Sequence, residues 1–298
     1  MRSAITYGLF PLWFTAALIS AVQLYGLSIR IEWIVVGIGV STAVVIAIAE
    51  RIHPAHARWN RSHGDIGTDA IHVAVSQGLV PALMESLIAA AVLHLSISAS
   101  GWLGYSIWPH TWPIVLQLAL ALASAQFFEY WFHRLCHTTP YLWRFHATHH
   151  SAERLYFLNA GRFHPFDTAV SVVLSFGTLM FLGAGEVVML LMACWITVHG
   201  LFQHCNVHLR LGPLNWIFSM AELHRWHHSL VLEEANSNYG NNILLWDIVF
   251  GTVYWPPDKD ASADIGIGDM ARFPQTWWGH MRSPFRWTAI ETENRELP

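Results

Sequence analysis

Ten histidines stand in four groups: His133-Arg-Leu-Cys-His137, His146-Ala-Thr-His149-His150, His204-Cys-Asn-Val-His208 and His224-Arg-Trp-His227-His228. Within a group the gaps are three or four residues, or an adjacent pair that completes the set. Residues three and four apart share one face of a helix. Each group can therefore aim two or three imidazoles at one point. Ten nitrogen ligands are too many for one ion, because zinc and its neighbours take roughly four to six. The pattern calls for two metal ions. An imidazole shell favours iron, zinc, copper or nickel over magnesium or calcium, which prefer oxygen.

The stretch 133–228 holds twelve of the nineteen histidines, so His164 and His199 lie nearby but out of register. His164, in Arg162-Phe-His-Pro165, reads as a supporting residue behind the ligands or in the fold. His199 reads as a packed helix residue. His53, His56, His63, His72, His94, His110 and His280 read as ordinary loop, interface or core histidines. Cys136 and Cys205 sit inside groups, but no CxxC spacing supports thiolate ligation, and they read as small filler. Hydrolytic two-metal sites usually include bridging carboxylates, and none lies within the four groups. No catalytic side chain beyond the ligands stands out. The set suits O2 chemistry on an apolar substrate.

The elements that position these groups are membrane spans. Of the 298 residues, 54% are hydrophobic and only 12% charged, against about 25% charged in ordinary soluble domains. Residues 5–27 carry no charge and can cross a bilayer as a retained first helix, since no A-x-A-like cleavage site follows. Further apolar runs cover 33–49, 68–97, 113–132, 166–183 and 187–205. Pro81 removes a helix hydrogen bond in the third, which is expected to kink or break. The fourth runs into His133 and the sixth into His204. The fold class is all-α: an integral-membrane bundle of about four to six transmembrane or re-entrant helices, with a cytosolic helical cap. Residues 1–110 hold the N-terminal helices, 111–255 the histidine-bearing region and 256–298 a cytosolic or interfacial tail, within one structural domain.

Orientation follows from the basic residues. Six crossings leave Arg30 alone on the far side and the rest of the sixteen Lys and Arg on the near one. That places both termini and all four histidine groups on the cytoplasmic side of a multi-pass protein. Tyr141 to Phe145 and Phe273 to Trp287 mix aromatic and basic residues as interfacial belts do. The alternative for them is the mouth of a lipid site. The net charge of −4 suggests no nucleic-acid partner.

These residues resemble the fatty acid hydroxylase / sterol desaturase superfamily of integral-membrane di-iron enzymes. The likeness runs from about Ala125 to Trp255. It includes Glu129-Tyr-Trp-Phe-His-Arg-Leu-Cys-His137, Leu142-Trp-Arg-Phe-His-Ala-Thr-His-His-Ser151, Arg162-Phe-His-Pro165 and His224-Arg-Trp-His-His-Ser229. Asn236-Ser-Asn-Tyr-Gly240 and Trp246-Asp-Ile-Val-Phe-Gly-Thr252 close it. Residues before about 110 match only as apolar spans. The resemblance implies a helical bundle with its di-metal site in a cytosolic cap, two iron ions, O2 as co-substrate and electrons from a separate donor. Zinc is an alternative occupant of purified protein. The family's ligands fall on His133, His137, His146, His149, His150, His204, His208, His224, His227 and His228. Asn236, Asn238 and Tyr239 follow the last group, and amides there could accept the second N–H of a ligating imidazole. Asp247 and Glu129 could do so more strongly. A turn built from Asn and Gly is the equal alternative for this segment.

The favoured activity is hydroxylation or desaturation of a C–H bond of a lipid, fatty acyl, sterol or related. A zinc-dependent membrane lipid hydrolase and a divalent-metal transporter are the alternatives. A transporter would place ligands near the bilayer midplane, whereas these groups sit at span ends. No haem, Rossmann or iron–sulfur motif is present. The electron donor is therefore expected to be another protein, cytochrome b5-like or a ferredoxin with its reductase.

Overall fold

The structure is a computed structural model that describes residues 2–103, 107–256 and 258–295, with the side chain of His94 among those outside the described set. Six helical stretches are long and apolar enough to cross a membrane. Helix α1 spans Arg2–Gly26, α2 Ile31–Ile52, α3 residues 66–103, α4 Ile114–Thr138, α6 Pro165–Leu182 and α7 Glu186–Gln203. Between α4 and α6 lies α5, Pro140–His150. Beyond α7 come α8, Ala221–His227; α9, Leu245–Phe250; α10, Trp277–Arg282; and α11, Trp287–Arg295. No strand occurs among the described residues beyond isolated bridges such as Pro54 with Val207. The chain is an all-helical, multi-pass membrane protein.

The bundle is organised by α7. Helices α1 and α2 both pack on it, α1 through Phe10 against Phe202 and Phe14 against Trp195. On α2, a Cβ at Gly39 would lie 3.1 Å from Thr197 Cγ2, so the two helices approach closely. Trp13 Nε1 donates to Thr42 Oγ1 across α1 and α2 at 2.9 Å, satisfying two polar groups within apolar spans. The α6–α7 hairpin turns at Gly183, whose φ of +79° suits glycine. Apolar side chains such as Leu12, Val36, Val40, Val44 and Leu87 face outward. In a membrane protein that surface meets lipid rather than water.

Two spans are interrupted by π-helical turns. Residues Val73–Leu79 of α3 and Val173–Gly177 of α6 take this form. In α3 the interruption precedes Pro81, which lacks an N–H and cannot continue regular pairing. The kink expected at Pro81 is thus delivered as a π turn upstream of it. In α6 the only proline is Pro165 at its first position, well before the turn at Val173–Gly177, where Ser175 Oγ donates to Ser171 O at 2.6 Å.

At the polar end of the bundle, buried ion pairs pin the loop 151–164. Arg162 Nε donates to Asp69 Oδ1 at 2.6 Å, and Tyr156 OH donates to Asp69 Oδ2 at 2.7 Å. Asp69 and Arg162 are 0% and 1% exposed. Arg154 forks onto Asp65 at 2.6 and 2.8 Å. Glu50, at the end of α2, accepts from the backbone N–H of Phe157 and of Asn206. The tail is not merely interfacial. Phe273, Trp287 and Ile290 bury against Ala147 of α5, while Trp278, Phe285 and Tyr141 remain exposed. His72 Nε2 and His280 Nδ1, 2.9 Å apart, join the tail to α3.

Removing one partner of a buried ion pair leaves an uncompensated charge, at a cost of about 3–5 kcal/mol. Asp69→Ala is therefore expected to lower the melting temperature of detergent-solubilised protein well below that of Arg58→Ala, which breaks only the exposed pair with Asp264. Equal melting temperatures for the two variants would contradict this account.

Candidate metal centre

Four short segments deliver the histidines. His133 and His137 lie on the last two turns of α4, four residues apart on one face. After Thr139, Pro140 opens α5 at the first helical position, where its missing N–H costs nothing. That helix carries His146, His149 and His150. His204 caps the C-terminus of α7, and α8 carries His224 and His227, with His228 at its end.

Nine of these side chains converge in two sets. His133, His137, His146, His150 and His227 form one, and His149, His204, His224 and His228 the other; within each set the potential ligand atoms all lie within 4.8 Å of one another. The sets abut, since the rings of His150 and His228 stack with centroids 4.4 Å apart.

The hydrogen bonds fix which nitrogen faces inward. His133 Nδ1 lies 2.7 Å from Tyr239 O, His227 Nδ1 2.8 Å from Ser237 O, and His149 Nδ1 3.3 Å from Arg162 O. A carbonyl oxygen only accepts, so each of these Nδ1 atoms carries the proton and Nε2 keeps a lone pair. His146 Nδ1 donates likewise to Asp167 Oδ2 at 3.2 Å, and His204 Nδ1 pairs with Asn159 Oδ1 at 3.2 Å. In the five-histidine set every Nε2 is buried without a hydrogen-bond partner. In the four-histidine set the Nε2 atoms crowd together: His204 to His224 at 2.9 Å, His224 to His228 at 3.0 Å, and His149 to His228 at 3.2 Å. Four nitrogens tetrahedrally placed at about 2.1 Å from one ion would be about 3.4 Å apart. Converging lone pairs at this spacing repel one another unless a cation sits between them. The residues present fit two imidazole-ligated metal ions.

Burial holds His204 and His227 down to about 3. Burial, reinforced by neighbouring imidazoles, holds His149, His150, His224 and His228 well below the ordinary histidine range. The neutral, ligating form is thereby kept available.

His208 is not brought in. The spacing His204-x-x-x-His208 places both on one face only if the helix continues, and α7 stops at Gln203. Beyond it the chain is held by backbone bonds: His208 N donates to His53 O at 3.0 Å, and Val207 bridges Pro54. The His208 ring packs on His53 instead, with centroids 5.3 Å apart. His164 caps α6, its Nδ1 accepting from Phe166 N at 3.1 Å, and His199 packs between Phe10 and Phe218. Cys136 lies near His146 and Asp167 but outside both histidine sets.

The residues expected to steady the ligands are also redistributed. The Asn238 side chain bonds Leu223 O, Tyr254 O and Tyr254 N and reaches no imidazole. Its φ of +51° is the left-handed turn conformation that Asn tolerates. Asn236 contributes no imidazole bond either. The backbone carbonyls of Ser237 and Tyr239 do that work, and the Tyr239 ring packs on His133, His137 and His227. Asp247 acts one step back, accepting from Tyr239 N at 2.8 Å and Gly240 N at 2.7 Å. Any Cβ at position 240 would collide with Asp247 Oδ2, so this turn requires glycine. Glu129 accepts from Asn241 Nδ2 at 3.1 Å, not from histidine. Asp167 and Asn159, which do touch ligating rings, were not singled out by sequence. The one signal for Asp167 was a carboxylate two residues past the Arg162-Phe-His-Pro165 run.

A cavity of about 300 Å³ opens from His133, His146, His149, His204 and His224 into the bundle. Its far walls come from α2, α3, α6 and α7, including both π-helical turns.

A spanning helical bundle with two imidazole clusters at the end of an internal cavity defines a class: the membrane-embedded, histidine-rich oxidoreductases. The fatty acid hydroxylase family model matches residues 118–252. An ornithine lipid hydroxylase of Rhizobium tropici is 38% identical over 269 residues, covering 90% of this chain and 80% of that protein. The alkylglycerol monooxygenase of Xenopus tropicalis is 30% identical over 162 residues, 53% of this chain and 35% of that one. Its human counterpart is 28% identical over 156 residues, 51% and 34% respectively. No solved structure matches. The chain belongs to the fatty acid hydroxylase / sterol desaturase superfamily and is an oxidoreductase.

Two outcomes test the site. His227→Ala or His149→Ala should strip bound metal as read by elemental analysis, while His208→Ala should keep the content of the parent chain. The second concerns acid. The folded-state histidine values lie below the unfolded value of about 6.5, so the stability they lend is present above that value and is lost as pH falls toward the folded values. The melting temperature of chelator-stripped protein should therefore drop steadily between pH 7 and pH 5, and a flat profile would count against neutral buried imidazoles.

Proposed function

We propose that this protein is a di-iron oxygenase that hydroxylates an aminolipid of the ornithine lipid class. The observation that carries this is the pair of converging Nε2 sets opening onto a cavity inside an apolar bundle. The likeness to an ornithine lipid hydroxylase over most of both chains supports hydroxylation over desaturation and points to the substrate class. His133, His137, His146, His150 and His227 would hold one iron and His149, His204, His224 and His228 the other. Two irons held there supply the O2 reduction and C–H activation that hydroxylation needs.

The chain's own residues do the rest. Nδ1–H bonds to Tyr239 O, Ser237 O and Arg162 O hold the rings so that each Nε2 points inward. The Tyr239 and Phe163 rings pack on the imidazoles and exclude water, Phe163 stacking on His149 at 4.1 Å. The cavity presents one end of a lipid to the metal face. The clustering of basic residues on one side of the spans supports a site and termini on the cytoplasmic face. Electrons then come from a separate soluble or membrane donor on that face.

The test is turnover of a bacterial lipid extract under 18O2 with reductant and a redox partner. The expected product is heavier by one 18O atom, and activity should vanish without O2. Product formation that continues anaerobically, or takes its oxygen from water, would overturn the reading in favour of a zinc hydrolase.

A further inference from the structure

The metal-side cavity has a second polar feature that ligand support does not explain. Its lining includes three acidic side chains, Glu85, Glu129 and Asp167, and no Lys or Arg among the described residues. Besides Thr168 Oγ1 and Asn242 Oδ1, three oxygens of this lining are buried and lack a hydrogen-bond partner: Gln126 Oε1, Glu129 Oε1 and Asp167 Oδ1. Their residues are 2%, 4% and 2% exposed. Asp167 is accounted for in part by the His146 ring on its other oxygen. Glu129 is not, because it is met only by neutral donors, the amide of Asn241 at 3.1 Å and the hydroxyls of Ser171 and Ser175. A carboxylate buried beside another, inside a membrane bundle, is costly unless a cation or a set of donors answers it.

The geometry points to a cation supplied by the substrate. We infer that Glu129 and Gln126 bind the protonated amine of an aminolipid head group, which enters the cavity ahead of the acyl chains. Gln126 and Glu129 are three residues apart and share a face of α4. Glu129 is four residues before His133, about 6 Å along the helix. An ammonium at Glu129 therefore places carbons a few bonds away beside the metal face. An ammonium offers three N–H donors and no acceptor, matching a wall of bare acceptor oxygens. At about 300 Å³ the cavity is at the lower end of the range for small-molecule sites, roughly 300–1,000 Å³, and suits a head group better than paired acyl chains. Glu85, exposed on the same lining, lies where an incoming amine meets the cavity from the bundle surface.

This inference rests on the cavity being the substrate site, so its test reads binding apart from turnover. Metal-loaded, unreduced full-length protein in detergent is titrated with N-dodecanoylornithine, N-dodecanoylnorleucine and 1-O-dodecylglycerol. Norleucine replaces the ammonium by a methyl group, and the glycerol ether offers neutral donors only. The ornithine compound should bind about tenfold more tightly than either of the others, the scale of one charge-assisted hydrogen bond. Glu129→Gln should reduce that preference to about twofold or less at unchanged metal content. Gln126→Leu should reduce it in part, and it decides the matter if Glu129→Gln fails to fold. Equal binding of the three compounds, or full preference kept in both variants, overturns the inference. Preference without any 18O incorporation supports it while refuting the hydroxylase reading. Incorporation with no preference refutes it and leaves that reading intact.

Discussion

Mutual repulsion of buried lone pairs is the constraint on which this structure depends. Nine buried imidazoles are packed at contact distance, and in each of them the inward nitrogen has another imidazole, or nothing, as its neighbour. Nothing in such an arrangement favours itself. It persists because the outward nitrogens of His133, His146, His149, His204 and His227 are tied to carbonyl, carboxylate or amide oxygens and because the rings are buried. A cation at each focus would convert the repulsion into coordination. Metal binding at these foci would therefore be coupled to folding at this end of the bundle.

The ties come mostly from backbone, and that makes loops part of the site. Arg162 offers its carbonyl to His149 while its guanidinium is clamped by Asp69 on α3. Tyr239 offers its carbonyl to His133 while its own N–H is held by Asp247. Each loop is thus fixed by a buried carboxylate on one side and a ligating ring on the other. The chain of contact runs from a spanning helix, through one arginine, to a metal-facing imidazole. A substitution at Asp69, which touches no histidine of either set, is transmitted to His149 by this route.

Much of this was legible in the sequence, and the failures share one cause. Six apolar runs predicted the spans within a few residues, because a bilayer imposes length and apolarity on a local stretch. The groups on α4, α5 and α8 do converge, because helical spacing aims their members together. His208 misled for the same reason: the rule holds only inside a helix, and the turn after Gln203 left it beside His53. Asn159 and Asp167 were missed because they meet their histidines across 45 and 21 residues of chain. Spacing carries no information about such pairings. The carbonyls of Ser237 and Tyr239 could not be read at all, since every residue has one. There Asn236 and Asn238 drew notice for side chains that serve the turn.

The π-helical turns explain how a packed bundle contains a cavity beside its metal face. Regular helices meeting ridge to groove leave little room between them. A π turn widens the helix locally and shifts the register of everything beyond it. Here both interrupted helices border the same cavity, and each lines it with residues of its π turn, Gln77 from one and Ser175 and Phe176 from the other. The loop bearing Arg162 closes onto the first of them at Gly161, where a Cβ would come within 2.9 Å of Val73 Cγ2. The irregular turn, the close glycine and the carbonyl that orients His149 are consecutive parts of one contact. The space for a substrate and the aim of a ligand are consequently set together, and a change that regularised α3 would be expected to disturb both.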